Sequence, residues 1–307
     1  MKKVDRRTFL KYSIAAGITG VSCGLPAYSH NQVNIARKQS SNLVLITADT
    51  ARAESMSCYG YNQLTSPCAD LMADQGALFT NSYSNSMCTL PGHASIFTGL
   101  FPDRHGVISN NRRLPKGIPT LAEILKSNGY NTAAFLGVWI LNDPGGLARG
   151  FDSINWRQPA EPGAVHGIRR SGTYIDEVIA YLRARQNDSS PFFLWIHTFD
   201  PHAPFLPPGE YSRMFRSPTT PDFDLLGQVN GNIENLNGYR PSFPSDFMLS
   251  QYLGELRYWD SNFQKIFETI QEPGNLDNTL VVYTSDHGEN VGEDNIYGHL
   301  DINQHVI

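Results

Sequence analysis

Apolar residues concentrate in four short runs, Leu43 to Thr47, Asn131 to Leu136, Phe192 to His197 and Leu280 to Thr284. Each is rich in β-favouring residues and lacks polar alternation, as a strand buried on both faces of a parallel sheet should be. Helical signals lie between them. Thr65-Ser66-Pro67 opens a helix that runs to about Gly76, and Thr120 to Ser127 forms another, closed by Asn128-Gly129. Thr173 to Arg185 reads as a third. From Leu249 onwards, Leu253, Leu256, Phe263, Ile266 and Ile270 keep helical spacing. Ala77 to Tyr83 reads as an additional short strand. The alternation predicts an α/β fold with a largely parallel central sheet flanked by helices on both faces.

Thr89 begins a further helix within the stretch Asn85 to Gly99, with Pro91 in the first turn, where a missing N–H costs little. Free backbone donors and the helix dipole at that end suit an anion such as sulfate or phosphate. Residues 206–246 are rich in Pro, Asn, Gly and Ser without a period, which predicts an excursion or lid.

The N-terminus is different in kind. Arg6-Arg7-Thr8-Phe9-Leu10-Lys11, followed by a weakly apolar run from Tyr12 to Leu25, has the form of a twin-arginine signal over residues 1–30, cleaved near Ala27 to Ser29. A lipoprotein reading at Cys23 is weaker, because Gly20 stands where a bulky apolar residue is wanted. A linker over 31–41 and a catalytic domain over 42–307 follow. The expected location is periplasmic or secreted, reached through the twin-arginine export machinery and without a stable membrane anchor. Net charge is −5 with acids and bases interspersed, so no polybasic stretch points to nucleic acid. After the signal, Cys58, Cys68 and Cys88 remain; a Cys58–Cys68 bridge and three free thiols are both open.

Three strands end in metal- or anion-competent groups: Asp49, then His197 with Asp200 and His202, then Asp286 with His287. Parallel strands deliver their carboxyl ends to one edge, so these groups and Thr89 can share a cleft. Carboxylates with an imidazole make a divalent cation site, which could activate a hydroxyl and offset charge on an oxyanion.

Several segments resemble signatures of the sulfatases, a branch of the alkaline phosphatase superfamily. They are Ile46 to Arg52, Thr89 to Ser95 through Thr98-Gly99-Leu100-Phe101-Pro102, and Thr284 to Glu289, joined by Phe199 to Pro204 and Gly146 to Asp152. The resemblance implies a three-layer sandwich of the alkaline-phosphatase and sulfatase type. It also implies one divalent cation, Ca²⁺ in the family, although the donor types admit Mn²⁺ or Zn²⁺. Asp49, Asp286 and His287 would bind that metal, with Thr50 beside Asp49 and Thr89 as further oxygen ligands. Thr89 would be the nucleophile. His93, His197 and His299 would assist catalysis, and Arg52, Asp200 and His202 would contact substrate.

The departures from the family pattern are specific. Thr89 stands where sulfatases carry the cysteine or serine that becomes formylglycine, and His93 stands at the arginine position. Cys88 is one place early, so formylglycine is not expected. Thr50 replaces a second acidic ligand, and Val138 and Ile140 replace a lysine and a histidine. The chain ends at Ile307, where the family continues into another strand and a smaller C-terminal subdomain, which predicts an incomplete C-terminus. The expectation is a secreted, metal-dependent hydrolase of sulfuric esters on a small molecule or glycan. One alternative is a phosphate mono- or diester hydrolase, because a threonine sulfate lacks formylglycine's hemiacetal exit while a threonine phosphate can be displaced by water. The other is an inactive glycan- or anion-binding protein. His105, His166 and His305 read as surface or loop histidines, and Glu289, Glu293 and Asp294 as a solvated acidic loop.

Overall fold

The computed structural model describes residues 41–143, 145–158, 167–185, 188–223, 243–272 and 278–299. The signal segment, nearly all of the linker, Cys23, His166, His305 and residues 224–242 of the expected lid lie outside these residues. Five strands form one sheet: β1 (Asn42–Ala48), β2 (Asn131–Leu136), β3 (Ser153–Asn155), β4 (Phe192–Thr198) and β5 (Thr279–Thr284). Their order is β3-β2-β4-β1-β5, and every adjacent pair is parallel. The helices are α1 (Pro67–Gln75), α2 (Thr89–Thr98), α3 (Pro102–His105), α4 (Leu121–Ser127), α5 (Ile175–Ala184), α6 (Tyr211–Met214) and α7 (Ser245–Gln271). The four apolar runs are thus strands, and β3 is the one that periodicity did not expose.

The pleat sends alternate side chains into two cores. Val44, Ile46 and Ala48 of β1 join Phe192, Leu194 and Ile196 of β4 on one face, beneath Tyr252, Leu256, Trp259 and Phe263 of α7 and Val178 of α5. Leu45, Phe193 and Trp195 face the other way, against Leu90, Ala94 and Phe97 of α2 and Ala122 of α4. Helices therefore cover both faces, which makes the domain a three-layer sandwich and explains why the strands read as continuous apolar runs. At α4, Thr120 and Glu123 form the reciprocal capping box, and Gly129 takes the positive φ of +86° that ends the helix.

Some expectations fail. Ala77 to Tyr83 is not a strand: Phe79 and Tyr83 are more than half exposed, and no described strand pairs with this stretch. Local β propensity without a neighbouring ladder is not enough to form one. Cys58, Cys68 and Cys88 are all free thiols, so the Cys58–Cys68 bridge is absent. His105 is fully buried instead of lying on the surface; its Nδ1 accepts from the Val107 N–H and its Nε2 donates to Ser95. Within the expected excursion, the described part returns to α7, where Gln251 donates to the Ser212 carbonyl and Tyr211 bonds Ser261. Gly254 permits that approach, since a Cβ there would stand 2.4 Å from the Tyr211 carbonyl oxygen.

One long-range cap ties α1 to α7. Ser66 precedes α1 but does not cap it; the carboxylate of Asp260 accepts instead from the Cys68 and Ala69 N–H groups, at 2.9 and 3.0 Å. Asp260→Ala should therefore lower stability by about 1–2 kcal/mol, read as a reduced urea midpoint at unchanged slope.

Candidate active site

The register of the sheet brings the chemistry together. Thr47 on β1 lies opposite His197 on β4 and Thr284 on β5, so Asp49 and Asp286, each two residues further along, leave adjacent strands at the same level. Cross-links hold the ends in place. The Asp49 N–H donates to the Thr198 carbonyl at 2.9 Å, and the Ser285 hydroxyl donates to the Ala48 carbonyl at 2.8 Å. The first turn of α2 lies on Asp286. A Cβ on Gly92 would meet the Asp286 carbonyl oxygen at 3.0 Å and its Cβ at 3.2 Å, so only glycine fits without displacement. Thr89, Asp49, Asp286 and His287 consequently gather at the carboxyl edge of the sheet, where open α/β folds place their ligands.

Asp49, Asp286 and His287 are buried, and one ligand atom from each falls within a 4.8 Å group. The His287 Nε2 lies 3.4 Å from Asp286 Oδ2 and 3.9 Å from Asp49 Oδ1. Its Nδ1 lies 2.9 Å from the Gly288 carbonyl oxygen, which can only accept, so Nδ1 carries the hydrogen and Nε2 presents a lone pair to two carboxylates. Burial holds His287 at a pKa of about 3, so a proton does not relieve that contact near neutral pH. Asp49 Oδ1, Asp286 Oδ2, His287 Nε2 and Thr50 Oγ1 have no hydrogen-bond partner among the described residues. Three converging ligand atoms without hydrogen-bond partners fit a divalent cation, and the orphaned Thr50 hydroxyl fits the same role.

The electrostatics separate the two acids. Burial, and then the charge of Asp49, push Asp286 well above the usual carboxylate range. Burial, the largest single influence, also opposes ionisation of Asp49, but the hydrogen bond from His197 and the electrostatic attraction of the His202, His287 and His197 rings together outweigh it and hold this carboxyl below its ordinary value.

Two predicted catalytic histidines act at one remove. His93 is fully buried; its Nδ1 donates to the Thr89 carbonyl at 2.7 Å, and its Nε2 accepts from the Thr47 hydroxyl at 3.0 Å. Both nitrogens are engaged, and Nδ1 also lies 3.4 Å from Asp286 Oδ2, so His93 fixes the first turn of α2 against the acid cluster. His197 is equally buried and orients Asp49 from 3.3 Å. Arg52 and Asp200, expected to contact substrate, both have partners within the protein. Arg52 donates to Ser55 and to the Glu289 carbonyl, and pairs with Glu293 at 2.7 Å. Asp200 accepts from the Ser171 N–H and the Thr198 hydroxyl, and lies 3.7 Å from Arg170. Both are committed within the protein. Val138 and Ile140 join the α2-side core, which leaves apolar packing where the family pattern has basic groups.

Glu289 was misread by sequence. It is 1% exposed and clusters with His202 and His299, while Glu293 is held by Arg52. The available signal was position: Glu289 lies on the same loop as Asp286 and His287, just past the strand β5.

His93 yields a pH test. The unfolded imidazole takes a proton below about pH 6.5, whereas burial, and then His197, keep the folded one neutral down to about 3. The unfolded state binds more protons in that window, so stability falls as pH falls through it. In metal-free protein, His93→Gln should reduce the slope of unfolding free energy against pH by about 1.4 kcal/mol per pH unit between those limits. Urea denaturation across the window measures it, and an unchanged slope would refute the buried neutral state.

Comparison with known proteins identifies the family and the fold. The chain is 26% identical over 279 residues to an ulvan-active sulfatase of Formosa agariphila, covering 83% of this chain and 52% of that protein. Among solved structures, the phosphonate monoester hydrolase of Agrobacterium radiobacter superposes with a TM-score of 0.70 at 21% identity, covering 87% of this chain and 66% of that one. A protein solved in complex with its substrate D-glucosamine-2-N,6-O-disulfate gives 0.69 at 20% identity, covering 87% and 69%. At such identities these superpositions establish the fold. The chain spans about half the length of the curated relatives it matches. The family model for Sulfatase matches residues 41–305, and the chain accordingly belongs to the sulfatase family.

Proposed function

We propose that this chain is a metal-dependent ester hydrolase in which the Thr89 hydroxyl attacks the sulfur or phosphorus of an oxyanion ester. The observation that carries this reading is the convergence of the unpartnered donors of Asp49, Asp286 and His287 beside the turn of α2 that begins at Thr89. A divalent cation held by Asp49, Asp286 and His287, with Thr50, would lower the pKa of the attacking hydroxyl and offset charge on the oxyanion. The imidazole among the donors favours Mn²⁺ or Zn²⁺ over Ca²⁺, which takes oxygen ligands. The chain's own residues do the positioning: His93 holds the nucleophile's turn and His197 orients Asp49, while the expected free donors of the α2 N-terminus are largely spent, the Leu90 N–H on the Asn110 side chain and the Gly92 N–H on the Cys88 carbonyl. His202 and His299 serve the side of the departing group.

Sulfate esters on a saccharide are the substrates that family membership favours, and the Formosa protein is named for activity on ulvan. Thr89 itself favours a second reading, a phosphate mono- or diester. Attack breaks the bond from sulfur or phosphorus to the departing alcohol and leaves an ester on Thr89, which water must cleave; phosphorus permits that second displacement readily. For location we propose export through the twin-arginine route, on the strength of Arg6-Arg7 and the run after them. No helix among the described residues is long and apolar enough to cross a membrane.

Metal-loaded protein should hydrolyse at least one of three probes: an aryl sulfate, an aryl phosphate and an aryl phosphodiester. Thr89→Ala should lower that rate by at least about a thousandfold. Undiminished hydrolysis by Thr89→Ala would sink the nucleophile assignment, and the preferred probe decides between sulfur and phosphorus. Silence on all three with retained binding of sulfate or phosphate would make the chain a binding protein.

A further inference from the structure

Next to the Asp49–Asp286–His287 cluster, His202 and His299 meet in a way that neutral imidazoles do not tolerate alone. The His202 Nδ1 lies 2.7 Å from the Ala203 carbonyl oxygen, and the His299 Nδ1 lies 2.7 Å from the Met87 carbonyl oxygen. A carbonyl oxygen only accepts, so both Nδ1 atoms carry hydrogens and both Nε2 atoms present lone pairs. Those two Nε2 atoms are 3.1 Å apart. Something positive must lie between or beside them.

Glu289 indicates what it is. The side chain is 1% exposed, and neither carboxylate oxygen has a hydrogen-bond partner among the described residues. One of its oxygens lies within 4.8 Å of the ligand nitrogens of both histidines. A single proton shared by the two rings would satisfy the nitrogens but leave both oxygens of the buried carboxylate without a hydrogen bond. A divalent cation satisfies all three donors together. Two nitrogens bound at about 2.0–2.1 Å with a tetrahedral angle between them stand roughly 3.3 Å apart, close to the observed separation.

We propose that His202, Glu289 and His299 hold a second divalent cation of the zinc class, making the site a two-metal centre. Two histidines and one glutamate leave a position open for water or an ester oxygen. Each ligand is already oriented: His202 stacks on Phe199 with ring centroids 4.2 Å apart, His299 is tied to the strand of chain that leads to Thr89, and Arg52 grips the Glu289 carbonyl at 3.0 Å. The His287 and His299 rings are 4.4 Å apart between centroids, which sets the two clusters side by side. A cation there would restore positive charge near the anion where Val138 and Ile140 supply none. The proposal specifies how His202 and His299 act, but its geometry stands whether or not any ester is cleaved.

The full chain, stripped with a chelator and titrated with Zn²⁺, tests it by calorimetry and by metal analysis after gel filtration. Two ions per chain are expected. Glu289→Gln and His299→Ala should each lose one ion, or bind it at least about 100-fold more weakly. Asp286→Asn should lose the other ion and keep this one. Circular dichroism of the metal-free variants verifies folding, and His202→Gln, at a half-buried position, repeats the test if either buried substitution fails to fold. A wild-type stoichiometry of one, or two ions undiminished in the Glu289 and His299 variants, would overturn the proposal. Two ions bound with no hydrolysis of any probe would uphold it while removing the ester-hydrolase reading.

Discussion

The hydroxyl of Thr47 is the point through which the core, the sheet and the site are connected. It accepts the indole N–H of Trp195 at 3.0 Å and donates to His93 Nε2 at 3.0 Å, and His93 in turn grips the Thr89 carbonyl. Trp195 is itself wedged against Phe97 of α2, with centroids 4.5 Å apart. A hydroxyl can accept and donate at once, whereas an isosteric valine would do neither and would strand two buried polar groups. Thr47 also pairs with His197 of β4 and Thr284 of β5, so the side chain that seats the helix lies at the level from which the acids leave the sheet.

Such a site is costly to build. Two carboxylates and an imidazole lie out of water with donor atoms unpartnered, and the neighbouring Glu289 repeats the pattern. Buried charge of this kind is tolerated when a cation completes it, so binding of metal and stability of the fold are coupled here. His93 and His197 fit that scheme as groups whose hydrogen bonds hold a helix turn and the Asp49 carboxylate.

Elsewhere the same physics produces structure without chemistry. Arg170 pairs with buried Glu255 and approaches Asp200; burial raises the Glu255 pKa to about 7, and Arg170 opposes that rise. Arg52 links the loop after β1 to the loop after β5 through the Glu289 carbonyl and Glu293. Asp200 and Arg52 have the composition of substrate-binding residues, but their charges are used within the protein, where a buried ion must find a partner.

The sequence by itself determined the local terms. Continuous apolar runs specified β1, β2 and β4 because a strand buried on both faces admits no polar alternation, and the run at β5 marked a strand although it lies at the end of the sheet and is only partly covered. Pro67, Thr120 and Gly129 marked helix ends by their backbone preferences, and acids just past parallel strands located the edge where a site would form. Only the tertiary structure decided which polar groups were free to act. Partnership across roughly 200 residues, such as Arg52 with Glu289 and Glu293, follows from packing and leaves no mark in local composition. For the same reason Glu289 read as part of a solvated loop, although folding buries it beside His202 and His299. Tautomers were hidden as well: the carbonyls of Gly288, Ala203 and Met87 that fix three imidazoles come from backbone placement, which residue types alone do not reveal.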